Sequence, residues 1–139
     1  MEKQKYTAIV LAAGSGKRMN SKVHKQYLII QDRPVLYYSL KAFEDSAVDE
    51  IVLVVGKGEE KFCRKEIVDK YGISKVKAIV EGGKERYHSV FEGLKQTSDA
   101  DYVLIHDGAR PFVNQDIIRR CMQAVSYTHL RAHETGAYL

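Results

Sequence analysis

The chain has no tryptophan, only two prolines and only two cysteines in 139 residues. Cys63 and Cys121 stand far apart, with no Cys-x-x-Cys spacing. That excludes a disulfide-stapled scaffold and a cysteine-rich zinc site. Each falls at an apolar position of a predicted helix, the setting of a buried thiol in a reducing compartment. Two prolines exclude a proline-rich linker. No apolar run nears the roughly 20 residues that a membrane helix needs, so no membrane partner is expected. Acid and base are nearly balanced: 22 Lys and Arg against 18 Asp and Glu give a net charge of +4. This mild excess suits a small anionic ligand but is far from a basic nucleic-acid tail. Aromatics are not interleaved with cations as in single-strand binders, so no nucleic acid is expected.

The amino terminus superficially imitates a signal peptide, because Met1-Glu2-Lys3-Gln4-Lys5 precedes the apolar stretch Thr7–Ala13. That stretch is at the minimum length, and Gly14-Ser15-Gly16-Lys17-Arg18 follows directly. A buried first strand and a cytoplasmic location are therefore expected. The length fits one domain that removes about two-thirds of its unfolded surface from water.

Apolar runs alternate with helical patterns. Tyr6–Leu11, Glu50–Val55, Val76–Glu81 and Tyr102–His106 are predicted strands. Ile51-Val52-Leu53-Val54-Val55 is apolar throughout, as a strand covered on both faces requires. Pro34–Asp45 is a predicted helix with a first-turn proline and Leu36, Leu40 and Phe43 in register. Glu59–Lys70 carries Cys63 and Ile67 on one face and is ended by Gly72. Arg86–Gln96 places Tyr87, Val90, Phe91 and Leu94 on its expected core face. A fourth helix opens at the capping residue Asn114 and runs through Ile117, Ile118, Cys121 and Val125. The order β-α-β-α-β-α-β-α predicts an α/β fold with a parallel sheet and helices on its faces.

Ligands of such sheets bind beyond the carboxyl ends of the strands. Three unusual loops follow strands there: Gly14–Lys25, Gly82–Ser89 and Asp107–Pro111. The first is a flexible Gly-x-Gly followed by two cations, which can press backbone N–H groups against a phosphate. It is not a Walker A loop, because Arg18 follows Gly16-Lys17 and Leu11 stands where the first glycine belongs. It is not a dinucleotide fingerprint either, because Met19 occupies the third small position. A plain glycine turn with a solvated basic flank is the alternative on this loop alone. Gly82-Gly83 can bring backbone close to a planar base, with Ser89 in the first turn of the next helix. Asp107 and Arg110 beside Gly108 can hold a metal and a phosphate, or form a surface ion pair.

Together these segments resemble the family of cytidylyltransferases that make 4-diphosphocytidyl-2-C-methyl-D-erythritol in the non-mevalonate isoprenoid pathway. Leu11-Ala12-Ala13-Gly14-Ser15-Gly16-Lys17-Arg18-Met19 is similar to its nucleotide loop. Lys25-Gln26-Tyr27 resembles the end of its Pro-Lys-Gln-Tyr element, with His24 where the family has proline. Gly82-Gly83 through Arg86 to Ser89-Val90 and Gly93-Leu94 resembles its base-binding segment, and His106-Asp107-Gly108-Ala109-Arg110-Pro111-Phe112 its acidic loop.

The resemblance implies a Rossmann-like nucleotidyltransferase fold. It implies that Arg18 and Lys25 bind the CTP phosphates and act as the catalytic cations. Ala12, Ala13, Gly14, Ser15, Gly16, Gly82, Gly83 and Ser89 are implied to cradle the nucleotide, and Asp107 and Arg110 to face the sugar-alcohol phosphate. Magnesium or a similar divalent cation near Asp107, and a homodimer of the full-length protein, are implied in the same way. A ribitol-5-phosphate cytidylyltransferase shares this chemistry, and a nucleotide-binding segment without catalysis is the reading from a different class.

The resemblance runs from about Thr7 to about Val125, and residues 1–125 are expected to form a partial cytidylyltransferase domain that lacks the family's dimer arm and acceptor-binding half. Ser126-Tyr127-Thr128-His129-Leu130-Arg131-Ala132-His133-Glu134-Thr135-Gly136-Ala137-Tyr138-Leu139 changes character and does not continue the apolar period. It is similar to translated sequencing-library adapter, so 126–139 is expected to be a non-native tail. His129 and His133 have metal-pair spacing, but the order His-x-x-x-His-Glu is not the metalloprotease order.

Overall fold

The computed structural model describes residues 4–13, 27–110, 112–132 and 137–138. In chain order its elements are β1 (Tyr6–Ala12), β2 (Ile29–Ile30), β3 (Arg33–Pro34), α1 (Val35–Glu44), β4 (Glu50–Val55), α2 (Glu60–Cys63), a π-helical segment (Arg64–Asp69), β5 (Val76–Glu81), α3 (Arg86–Leu94), β6 (Tyr102–Asp107), α4 (Gln115–Ala132) and β7 (Ala137–Tyr138). The four expected strands β1, β4, β5 and β6 lie in one sheet of order β5-β4-β1-β6-β7. All of its pairings are parallel.

Side chains alternate across a strand, so β1 feeds two cores. Ala8, Val10 and Ala12 face α1, α2 and α4, packed with Leu36, Leu40, Phe43, Cys63 and Ile118. Ile9 and Leu11 face the other side with Val52, Val54 and Ile105. Burial on both faces is why β1 and β4 have no polar alternation. Register aligns the layers: Ala8 pairs with Ile51 and Leu104, and Ile9 with Val52 and Ile105.

Helix α1 follows the expected spacing. Leu36, Leu40 and Phe43 are fully buried, and Pro34 caps the helix in an extended conformation. Helix α3 is turned from its expected face. Tyr87, Phe91 and Leu94 are exposed, at 68%, 59% and 42%, while Ser89 and Gly93 are buried against the sheet. A Cβ on Gly93 would come within 2.8 Å of Ile9 Cγ2. The helix therefore approaches on its small residues, and Val90 alone of the expected apolar set packs into the second core.

Three further features depart from the sequence pattern. The predicted helix Glu59–Lys70 divides into α2 and the π-helical segment. A hairpin, β2–β3, precedes α1, and its turn residues Gln31 and Asp32 have φ of 49° and 71°. These positive values belong to the tight hairpin turn that matches strand twist. Helix α4 does not stop at Val125 but runs to Ala132, and β7 then pairs with Leu104 and Ile105 of β6.

Candidate active site

The chain adds β4 and β5 on one side of β1, then returns with β6 to the other side. Strand order therefore reverses between β1 and β6, which opens a crevice beyond their carboxyl ends. Ala13 and Asp107 stand at the two sides of that crevice. A cleft of about 170 Å³ lies there, lined by Leu11, Ala13, Gly83, Lys84, Glu85, Arg86, Ser89 and Asp107. The end of β1 and the expected loops after β5 and β6 thus meet in one space, while the expected loop Gly14–Lys25 lies outside the described residues.

The loop after β5 reaches the cleft by arching over β4. Gly82 N–H donates to the Val55 carbonyl at 2.7 Å. A Cβ on Gly82 would lie 2.3 Å from Ser89 Oγ and 2.8 Å from Ala13 Cβ. Glycine is needed here because the end of β1, the loop after β5 and the first turn of α3 meet at contact distance. The turn then closes on a capping box: His88 N–H is held by the Glu85 carboxylate, and Glu85 N–H donates to His88 Nδ1 at 3.3 Å. Such a box satisfies first-turn donors and fixes where the helix starts. It places Ser89, only 4% exposed, at the floor of the cleft.

The acidic loop is held from below. Gly108 N–H donates to the Leu11 carbonyl at 2.7 Å, and a Cβ there would lie 2.8 Å from Leu36 Cδ1. Asp107 Oδ1 accepts the Ala109 N–H at 2.9 Å. Its Oδ2 is 3.8 Å from Arg110 Nε, and Asp107 is among the residues that line the cleft. Arg110 is exposed and does not line the cleft.

The expected residues divide as follows. Ala13, Gly83, Ser89 and Asp107 line one cleft. Gly82 shapes it from behind through its contact with Ser89 and Ala13. Ala12 is buried in the α1-side core rather than lining the cleft, because it is the even partner of Leu11 in the alternation. Gly14, Ser15, Gly16, Arg18 and Lys25 lie outside the described residues. Lys84 and Arg86 line the cleft without having been given a role by the sequence pattern. Their sequence signal is weak: two cations flank the acid that caps α3 immediately after paired glycines, and each reads as a solvated charge.

Tyr27 anchors the end of the Lys25-Gln26-Tyr27 element. Its ring meets Phe62 edge-on, with centroids 5.3 Å apart, and its hydroxyl lies 3.2 Å from Cys63 Sγ. Burial pushes the Tyr27 phenol well above its usual range, reinforced by the hydrogen bond to Cys63. Burial likewise pushes the Cys63 thiol up to about 11, so Cys63 is a protonated core thiol, as expected.

Among the described residues no three His, Cys, Asp or Glu side chains cluster to hold a metal. Of the two carboxylates that line the cleft, Glu85 is held in the capping box, and Asp107 is the kind of oxygen donor that magnesium uses when phosphates and water supply its other ligands. No helix of the described residues is long and apolar enough to cross a membrane.

The family model described as IspD: 2-C-methyl-D-erythritol 4-phosphate cytidylyltransferase matches residues 6–134. A protein of that name from Lachnoclostridium phytofermentans is 55% identical over 122 residues, covering 88% of this chain and 52% of the relative. Another of that name from Alkaliphilus metalliredigens is 44% identical over 137 residues, covering 97% of this chain and 54% of the relative. The chain spans about half the length of the curated relatives it matches. The crystal structure of 4-diphosphocytidyl-2C-methyl-D-erythritol synthase from Anaerococcus prevotii superposes with a TM-score of 0.72 at 32% identity, over 87% of this chain and 50% of that one. The family model spans most of the chain and a solved member shares its fold, and the chain belongs to the 2-C-methyl-D-erythritol 4-phosphate cytidylyltransferase family.

Proposed function

We propose that this chain supplies the nucleotide half of an enzyme that transfers CMP from CTP to 2-C-methyl-D-erythritol 4-phosphate and releases pyrophosphate. The observation that carries the reading is the meeting of Ala13, Gly83, Ser89 and Asp107 in one cleft at the strand-order reversal. In this reaction an oxygen of the acceptor phosphate bonds to the α-phosphorus of CTP. The bond from that phosphorus to the bridging oxygen breaks, and its electron pair leaves with pyrophosphate. The attacking phosphate is already anionic, so no strong general base is needed. Catalysis then rests on positioning and charge neutralisation.

Arg18 and Lys25 are assigned to the phosphates, with Gly14, Ser15 and Gly16 as the backbone cradle. Gly82, Gly83 and Ser89 are assigned to the cytosine, and Lys84 and Arg86 add positive charge at the same mouth. Asp107 and Arg110 are assigned to the acceptor side. Asp107 would also hold a divalent cation, which when bound neutralises triphosphate charge. A cytoplasmic homodimer is proposed for the whole protein, and residues 126–139 are proposed to lie outside its working part.

The test compares three chains: residues 1–139, residues 1–125, and residues 1–125 joined to the carboxy-terminal remainder of the Lachnoclostridium phytofermentans relative. Each is assayed for CTP binding and for pyrophosphate release with methylerythritol phosphate or ribitol 5-phosphate. CTP binding by all three, and release by the joined chain with methylerythritol phosphate alone, are expected. Preference for ribitol 5-phosphate would overturn the acceptor, and absence of CTP binding would overturn the reading. Loss of binding on trimming to Val125 would show that the tail contributes.

A further inference from the structure

The acidic loop rests on a buried polar contact that none of the assigned roles uses. Ser39, on the sheet-facing side of α1, and His106, the penultimate residue of β6, are 0% and 2% exposed. Ser39 Oγ donates to the Arg110 carbonyl at 3.0 Å. His106 Nε2 lies 3.2 Å from that same carbonyl and 3.2 Å from Ser39 Oγ. With the serine proton directed to the carbonyl, both remaining neighbours of Nε2 are acceptors. The ring proton must therefore sit on Nε2. The imidazole is braced edge-on by Phe43, centroids 5.6 Å apart.

We infer that Ser39 and His106 are positioning residues: they clamp the Arg110 carbonyl and so set the shape of the Asp107–Arg110 turn. Arg110 N–H closes that turn by donating to the Asp107 carbonyl at 3.1 Å, and Ala109 N–H holds the Asp107 carboxylate. One end of the turn is pinned to β1 through Gly108 and Leu11. The Ser39–His106 pair pins the other end to α1. The turn is thus fixed at both ends while its two charged side chains stay outside the clamp. Its consequence for catalysis rests on the acceptor role given to Asp107 and Arg110 above.

Two measurements separate the clamp from that role. The first is amide hydrogen exchange of the 139-residue chain, with Ser39→Ala and His106→Leu as disrupting variants. His106→Gln is the conservative variant, since its amide can return an N–H near the position of Nε2. Protection of the Ala109 and Arg110 amides should fall about 10-fold in the first two, the scale of one lost hydrogen bond. It should recover in His106→Gln, while Val10 and Leu53 are unchanged throughout. Unchanged exchange at Ala109 and Arg110 would overturn the clamp, as would loss of protection spread equally over β1 and β4. The second measurement takes the same variants in the joined chain. KM for the acceptor should rise about 10-fold with KM for CTP unmoved. Loosened exchange with KM for CTP moved instead would support the clamp and overturn the acceptor role of the turn.

Discussion

Tyr27 Oη lies 3.2 Å from Cys63 Sγ, joining the residue that ends the Lys25-Gln26-Tyr27 element to the last turn of α2. Both groups titrate above their usual range because burial disfavours their charged forms. Raised values in the folded chain mean stability that is complete below the unfolded value and lost as pH rises. For Cys63 the window runs from its ordinary 9.0 to about 11. In urea unfolding, Tyr27→Phe should cost about 1 kcal/mol at neutral pH. The Tyr27→Phe, Cys63→Ala double variant should lose less stability than the parent across that alkaline window.

Gly82 has no room for a methyl group. A Cβ would fall 2.3 Å from Ser89 Oγ and 2.8 Å from Ala13 Cβ, and Ala13 cannot rotate away because its Cβ is fixed to backbone. Gly82→Ala should therefore part the loops that form the cleft, at a cost of about 1–3 kcal/mol in stability. Its CTP affinity, measured by calorimetry, should fall further than that of a Gly58→Ala control, which is strained at a φ of 79° but whose Cβ meets nothing within 4 Å and which does not line the cleft.

Glu44 governs part of the acid limb. Its Oε1 accepts N–H bonds from Ser74 at 3.0 Å and Lys75 at 2.8 Å, and its Oε2 accepts the Ser74 hydroxyl. Burial would raise its titration, but the Ser74 hydroxyl and the two backbone donors outweigh it and hold the carboxyl below the usual range. A lowered value means stability present above the unfolded carboxylate range, about pH 4, and lost as pH falls through the lower folded value. Glu44→Gln should flatten the decline of stability below about pH 4, as followed by circular dichroism.

The phosphate assignment is tested by charge removal in the joined chain. Arg18→Ala or Lys25→Ala should lower turnover by about 10²–10³-fold, the scale for removing one transition-state charge partner. Lys17→Ala should have a smaller effect. Steady-state rates near the parent for both Arg18→Ala and Lys25→Ala would remove them from the reaction.

The strands and the meeting of the loops after β5 and β6 were legible because burial on two faces leaves an unmistakable apolar run and because glycines punctuate it. The face of α3 was not. Its spacing favours Tyr87, Phe91 and Leu94, yet close approach to β1 selects Ser89 and Gly93. Hydrophobicity alone does not report the distance between a helix and a sheet. The hairpin before α1 was hidden for a different reason. Its positive-φ turn is Gln31-Asp32 rather than the Asn-Gly pair that signals such turns. In the cleft, the small residues were readable from their loops. Lys84 and Arg86 were not, because a cation in a loop looks solvated until the fold gives it a neighbour.

The place of β6 beside β1 also governs when the cleft can come into being. Strands β1, β4 and β5 can pair one after another as the chain lengthens. The wall bearing Asp107 joins only when Tyr102–Asp107 docks along the open edge of β1, with Thr7 opposite Val103. That closure spans most of the chain, which makes it an intrinsically slow kind of contact. Until it forms, β1 offers an unpaired edge to other chains. Assembly of the site and concealment of the open edge of β1 are therefore the same folding event.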